Sequence, residues 1–228
     1  VINTGDVVRR SDAGLLSTLG WTDAAGTPSF CLEGSLFNAG TVIQWLRDGL
    51  QIIDQAPQVN ELARSVPDSG GVMLVPAFTG WGTPHWDPQA RGVLVGLTRD
   101  SGRGHIARAA LEGIALSVAT LVELAEQALG TGLGELAVDG GAAASDPLLQ
   151  AQADCTGLTV RRPASLESTA RGVALFAGLQ AGVISDLEQL ATARRDGAEL
   201  FHPQMDASQR DRWRTRWQDA VSRSLGWH

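Results

Sequence analysis

A chain of 228 residues, 43% hydrophobic and 19% charged, can bury a core as one large domain or two small ones. Its net charge of −7 argues against a basic surface for nucleic acid. No uninterrupted apolar run approaches the ~20 residues that cross a bilayer, so neither nucleic acid nor membrane is expected as a partner.

The chain opens on Val1 inside a strand-like segment, so it reads as a piece of something longer, with no signal peptide. "VINTGDVV", "GLLSTLGW" and "PSFCLEGSL" carry apolar and β-branched residues between turn formers and predict three strands. The period then changes. In "NAGTVIQWLRDGLQII", Val42, Ile43, Trp45, Leu46, Leu50 and Ile53 recur at helical spacing. "VNELARSV" predicts a short helix. "GVMLVPAF" and "GVLVGLT" are strand-length runs joined by the loop "TGWGTPHWDPQAR", which is large enough to suggest a packed or functional role.

The longest predicted helix is "GHIARAALEGIALSVATLVELAEQALG", closed by Gly130. Strand, turn and helix follow in "ELAVDGGAAASDPLLQ". "LTVRRP" is a further strand. "ESTARGVALFAGLQAGV" is a helix of small residues, and "DASQRDRWRTRWQDAVSRS" a charged amphipathic one. This order predicts an α/β fold with a mixed sheet covered by helices on both faces. In such folds ligands sit at the carboxyl ends of strands, where Asp139, Gly140 and Gly141 fall.

A strand ending in Gly-Gly before a helix can bring backbone N–H groups against an anion or a nucleotide sugar. A plain tight turn, with glycine supplying a positive φ, is the competing reading. Gly130, Gly132 and Gly134 follow a helix and precede a strand, the wrong order and spacing for a dinucleotide fingerprint, and there is no Walker A segment. His85, His105, His202 and His228 lack metal-ligand spacing, and no metal site is expected. Cys31 and Cys155 form neither a metal motif nor a disulfide framework, which points to a reducing cytoplasm. Trp45, Trp81 and Trp86 read as core and loop anchors. Asp87, Asp100 and Asp139 are candidate bases, each in a turn-like setting where aspartate is common for local reasons.

Five blocks decide more together than any does alone: "LEGSLFNAGTVIQWLRDGLQII", "VPAFTGWGTPHWDPQARGVLVGLTRD", "HIARAALEGIALSV", "VDGGAAASDPLLQAQADCTGLTVRRP" and "ESTARGVALFAGLQAGV". In this order they closely resemble the C-terminal half of the FGGY carbohydrate kinases, and among them the glycerol kinases. The resemblance implies an actin-like (ribonuclease H-like) domain spanning residues 1–228, with ATP and Mg²⁺ in a cleft against a second domain that binds the polyol. It implies transfer of the ATP γ-phosphoryl group to a terminal hydroxyl of glycerol, in a cytoplasmic enzyme that forms homo-oligomers. Xylulokinase-like chemistry and a non-catalytic actin-like module are the alternatives.

Carried over residue by residue, Gly40 and Gln44 match the "AG…IQ" helix start near the nucleotide, and Gly140 and Gly141 the "DGG" turn that meets adenosine. Ser145 stands where the family usually has Asn, so a base or ribose contact there is expected to be weaker, shifted or water-mediated. Arg171 and His85 replace a usual apolar residue and a usual Tyr. Asn3, Thr4 and Gly5 match a segment that follows the family's catalytic aspartate and phosphate-binding turn. The resemblance therefore implies no catalytic residue in this chain and no kinase activity from it alone.

Overall fold

The computed structural model describes residues 1–23, 25–184 and 197–227. Three antiparallel strands open the chain: β1 (Ile2–Gly5), β2 (Leu16–Thr22) and β3 (Pro28–Glu33). β3 lies in the middle, with Ile2 opposite Leu32 on one side and Thr18 opposite Cys31 on the other. Next come α1 (Gly40–Gln44), which runs on into a π-type turn at Trp45–Gly49, and α2 (Gln58–Arg64). β4 (Met73–Val75) and β5 (Val93–Val95) form an antiparallel pair.

The centre of the molecule is α3 (Arg103–Leu129). Its first turn is tied when the Gly102 N–H donates to His105 Nδ1 at 3.1 Å. It ends where Gly130 takes a left-handed φ of 69° and its N–H donates to the Glu126 carbonyl. Ala107, Ala110, Leu111, Ile114, Ala115 and Ala119 recur three and four apart and are buried. They pack against α2, β4 and α4 (Asp146–Thr156). Burying side chains such as Leu111 and Ile114 contributes roughly 1.5–3 kcal/mol each. By length and mean hydropathy α3 could cross a membrane, although Arg108, Glu112 and Glu123 interrupt its apolar residues. Here its apolar positions are spent on the protein's own core.

β6 (Glu135–Ala137), β7 (Thr159–Arg162) and β8 (Glu199–Phe201) form the third sheet, parallel between β6 and β7 and antiparallel between β7 and β8. Among the described residues the strands thus fall into three small sheets where one mixed sheet was expected, and only the third is mixed. The reason is geometric. β4, β5, β6 and β8 have three residues each; α3 packs its apolar surface on the first two sheets, and α4 packs on the third.

Two helices complete the described chain. α5 (Ser168–Gln180) has no buried residue, and Val173 and Phe176 are exposed. α6 (Ala207–Ser222) buries Trp217 against α3, where its indole N–H donates to Thr120 Oγ1 at 3.2 Å. Both cysteines are free and buried, and burial pushes the Cys155 thiol far above its ordinary value.

Candidate functional site

Four segments meet around a cavity of about 630 Å³, α3 contributing Leu111. α1 contributes Gly40 at its start and Gln44 at its end. α2 contributes Val59 and Asn60. The turn after β6 and the head of α4 contribute residues 139–142, 144, 145 and 148. The five positions singled out from the sequence, Gly40, Gln44, Gly140, Gly141 and Ser145, all line this one cavity. Ile43, Val59, Leu111, Ala142 and Leu148 supply apolar walls, and Gln44, Asn60, Asp139 and Ser145 a few polar groups. That mixture suits a small ligand with one flat apolar part and a few hydrogen-bonding edges.

The glycines are informative in what they do not touch. Gly140 has a φ of 80°, so the backbone itself demands glycine there. Gly40 and Gly141 lie outside the left-handed region, and a Cβ at either would meet no atom within 4 Å. By contrast, a Cβ at Gly82 or Gly96 would sit 2.2 Å from a backbone oxygen. At 40 and 141, then, neither backbone conformation nor protein packing asks for glycine. Open backbone on a cavity wall leaves room for a ligand to approach the main chain.

The turn is held from outside. The Gly140 N–H donates to the Leu166 carbonyl at 3.0 Å, and the Ala143 N–H returns to the Gly140 carbonyl at 3.0 Å. Arg162 on β7 donates to the Ala143 carbonyl at 3.1 Å and to Asp146 Oδ1 at 2.9 Å, pairs with Glu199, and lies over the Phe201 ring at 5.2 Å. One guanidinium therefore links the turn, the head of α4 and β8.

Ser145 is committed within the protein. Its Oγ accepts the Leu148 N–H at 3.3 Å as the N-cap of α4, and its hydroxyl donates to Asn60 Oδ1 at 2.6 Å. Asn60 was not singled out from the sequence. It lies 85 residues from Ser145, in a short helix with no recognisable motif, and only the fold brings the two together.

The remaining candidates separate cleanly. Arg47 also lines the cavity, but its guanidinium is paired with both carboxylate oxygens of Asp48 at 2.7 and 2.8 Å. The hydrogen bond to Asp48 holds the Arg47 pKa above its ordinary value, and the same bond holds that of Asp48 below its own. Of the candidate bases, Asp139 lies on the cavity wall, whereas Asp87 and Asp100 do not. Asp87 accepts the N–H groups of Gln89 and Gly226, both at 2.8 Å, and so ties the large loop to the C-terminal segment.

His85 packs beside Trp81 with the rings tilted by 59° and their centres 5.8 Å apart, where burial lowers its pKa. His202 meets Thr159 Oγ1 at 3.1 Å, and His228 lies outside the described residues. Trp45 packs on Phe78 and Trp81 is buried in the core, while the Trp86 indole donates to the Gly14 carbonyl. Arg171 falls on the exposed helix α5, away from the cavity. Among the described residues no three His, Cys, Asp or Glu side chains converge as metal ligands.

Residues 1–181 match the FGGY family of carbohydrate kinases, C-terminal domain. The chain belongs to this family. The glycerol kinase of Aromatoleum aromaticum is 50% identical over 227 residues, and that of Solidesulfovibrio magneticus 48%. Each alignment covers 100% of this chain and 45% of the relative, so the chain spans about half the length of the curated relatives it matches. Among solved structures, Plasmodium falciparum glycerol kinase with ADP superposes with a TM-score of 0.89 at 32% identity, over 98% of this chain and 44% of that one. A xylulose kinase from Lactobacillus acidophilus, 22% identical with a TM-score of 0.73 over 97% of this chain and 43% of that one, shares the fold.

Proposed function

We propose that this chain is the nucleotide-binding half of an ATP-dependent glycerol kinase, with the nucleoside of ATP or ADP in the cavity between α1, α2 and the 139–145 turn. The observation that carries this reading is the pair Gly40 and Gly141. Both are unneeded by backbone or packing, and both open onto one cavity with Gln44 and Ser145. The similarity to a glycerol kinase solved with ADP supports the choice of ligand. Glycerol is favoured over xylulose or gluconate because the glycerol kinases reach 50% identity, whereas the xylulose and gluconate kinases stand at 20–24%.

The whole of residues 1–228 is taken as one actin-like domain, working in the cytoplasm within a homo-oligomeric enzyme. The cavity is suited to a base and ribose more than to a triphosphate, since its one arginine is already neutralised by Asp48. Phosphoryl transfer depends on positioning and on charge neutralisation at the phosphates. In this reading those tasks, and activation of the glycerol hydroxyl, fall to the other half of the enzyme. Mg²⁺ is typically held by one or two carboxylates together with phosphate oxygens. Among the described residues Asp139 is the single carboxylate on the cavity wall, so these residues do not make a magnesium site by themselves, and the metal would enter with ATP.

The test is calorimetric titration of ADP and ATP into the 228-residue chain and its Gly141→Val variant. Binding that the substitution abolishes, in a variant with unchanged melting temperature, supports the reading. Equal binding by both proteins refutes the placement at the turn, and no binding by the folded wild-type chain up to millimolar nucleotide refutes the site.

A further inference from the structure

The cavity holds two amide side chains, and they differ in one respect. Gln44 is exposed and makes no side-chain hydrogen bond to a described residue. Asn60 is half-buried and anchored. The anchor is made to the amide oxygen. The Ser145 oxygen receives the Leu148 N–H at 3.3 Å, and a hydroxyl has one proton to give. The partner at 2.6 Å is Asn60 Oδ1, so that proton goes to the amide oxygen. Asn60 Nδ2 makes no hydrogen bond to a described residue. The amide keeps two free N–H donors and one further lone pair on Oδ1, at a cavity wall.

A donor beside an acceptor is the pattern by which an asparagine pairs with adenine, giving an N–H to a ring nitrogen and receiving the exocyclic amine. A 6-oxopurine sets an oxygen where that amine would be, so Asn60 Oδ1 would face another acceptor.

Resting on the nucleotide reading above, we propose that Asn60, oriented by Ser145, is the residue that selects adenine over 6-oxopurine bases. Asn60 acts on the base, and Ser145 is a positioning residue. The two residues share one hydrogen bond, so they act as one device. The adaptable Gln44 amide carries no such orientation.

ADP and IDP differ at the 6-position of the purine, with the ring-nitrogen protonation that follows from it, and are the probes. The 228-residue chain is titrated with each, alongside Asn60→Ala, Asn60→Asp, Ser145→Ala and Ser145→Thr, with melting curves establishing that every variant is folded. The wild-type chain is expected to prefer ADP by about tenfold, the scale of one bidentate base contact. Asn60→Ala and Asn60→Asp bring the ratio close to one by weakening ADP and sparing IDP. Ser145→Ala lowers the ratio, and Ser145→Thr, which keeps the hydroxyl, restores it. If Asn60→Ala keeps the wild-type ratio, or the wild-type chain binds ADP and IDP equally, the assignment of Asn60 is overturned while the nucleotide reading stands. If Ser145→Ala leaves the ratio unchanged, the positioning role is overturned. If neither nucleotide binds the folded wild-type chain, both the reading and this inference fall together.

Discussion

Gly113 of α3 faces the carbonyl oxygen of Leu74 on β4, and a Cβ at 113 would sit 2.1 Å from that oxygen. No rotamer change relieves a clash between backbone and Cβ, so the helix would have to lift off the strand. Gly113→Ala is expected to lower stability by up to roughly 2 kcal/mol despite alanine's better helix propensity, because an overpacking cost of up to roughly 3 kcal/mol outweighs the ~1 kcal/mol propensity gain. Urea denaturation measures it. A variant as stable as wild type would mean that α3 and β4 are not this close.

The same kind of reasoning shows what was legible in the sequence. α3 was readable to within a residue at each end, since its apolar residues recur at helical spacing over seven turns and Gly130 supplies a left-handed stop. The helix predicted over residues 38–53 is shorter, because the chain loosens into a π-type turn at Trp45–Gly49 and Gln51 takes a positive φ. The strands were placed, but not their division into three sheets, since pairing joins residues far apart in sequence and leaves no local trace. Of the five cavity positions, Gly140 and Gly141 were legible as a strand-end glycine turn, and Gly40, Gln44 and Ser145 came from the family resemblance. Asn60 and Arg162 could not come from it or from spacing, because what recommends them is a contact across 85 residues and a contact across 19.

Arg162 is expected to matter to the cavity without touching it. Its side chain is 15% exposed, whereas those of Asp146 and Glu199 are 52% and 64% exposed, so the two ion pairs alone contribute little. The bond to the Ala143 carbonyl and the packing on Phe201 are better shielded. Arg162→Met should cost about 1–2 kcal/mol of stability and weaken nucleotide binding severalfold by loosening the 140–144 turn. Calorimetry on the variant decides. Unchanged nucleotide affinity alongside lowered stability would show that the turn is held by its own backbone bonds.

Glu112 on α3 predicts a pH dependence. Its carboxylate is 6% exposed and pairs with Arg108 at 2.8 Å. Burial raises its pKa above the ordinary 4.5, against the opposing pull of Arg108. A raised folded-state value means the folded chain holds this proton more tightly than the unfolded chain. The stabilisation is complete below pH ~4.5 and is lost as pH rises through the folded-state value. Glu112→Gln cannot titrate, so it should gain on wild type as pH rises from 4 to 7. Urea midpoints for both proteins across that range provide the measurement. A constant difference, or one moving the other way, would mean that Arg108 fully offsets the burial.

Asp206, the N-cap of α6, predicts the opposite sign. It caps α6 by accepting the Gln209 N–H at 2.8 Å, while the Gln209 side chain reaches back to the Asp206 N–H at 3.2 Å. The Gln209 N–H, followed by the Ser208 hydroxyl, holds the Asp206 pKa below its ordinary 3.8. A lowered folded-state value means the charged cap stabilises the fold above pH ~3.8 and stops doing so as pH falls through the lowered value. α6 carries Trp217 into the core, so fraying of its first turn is felt by the whole fold. Asp206→Ala should therefore melt below wild type at pH 7, with the gap shrinking as pH approaches 2. Asp206→Asn keeps a capping oxygen without the charge, and should fall between the two at pH 7 and change little with pH. If alanine and asparagine melt together at pH 7, the capping oxygen contributes nothing. A gap between Asp206 and alanine that persists unchanged to pH 2 would mean the carboxylate's charge is not what the cap uses.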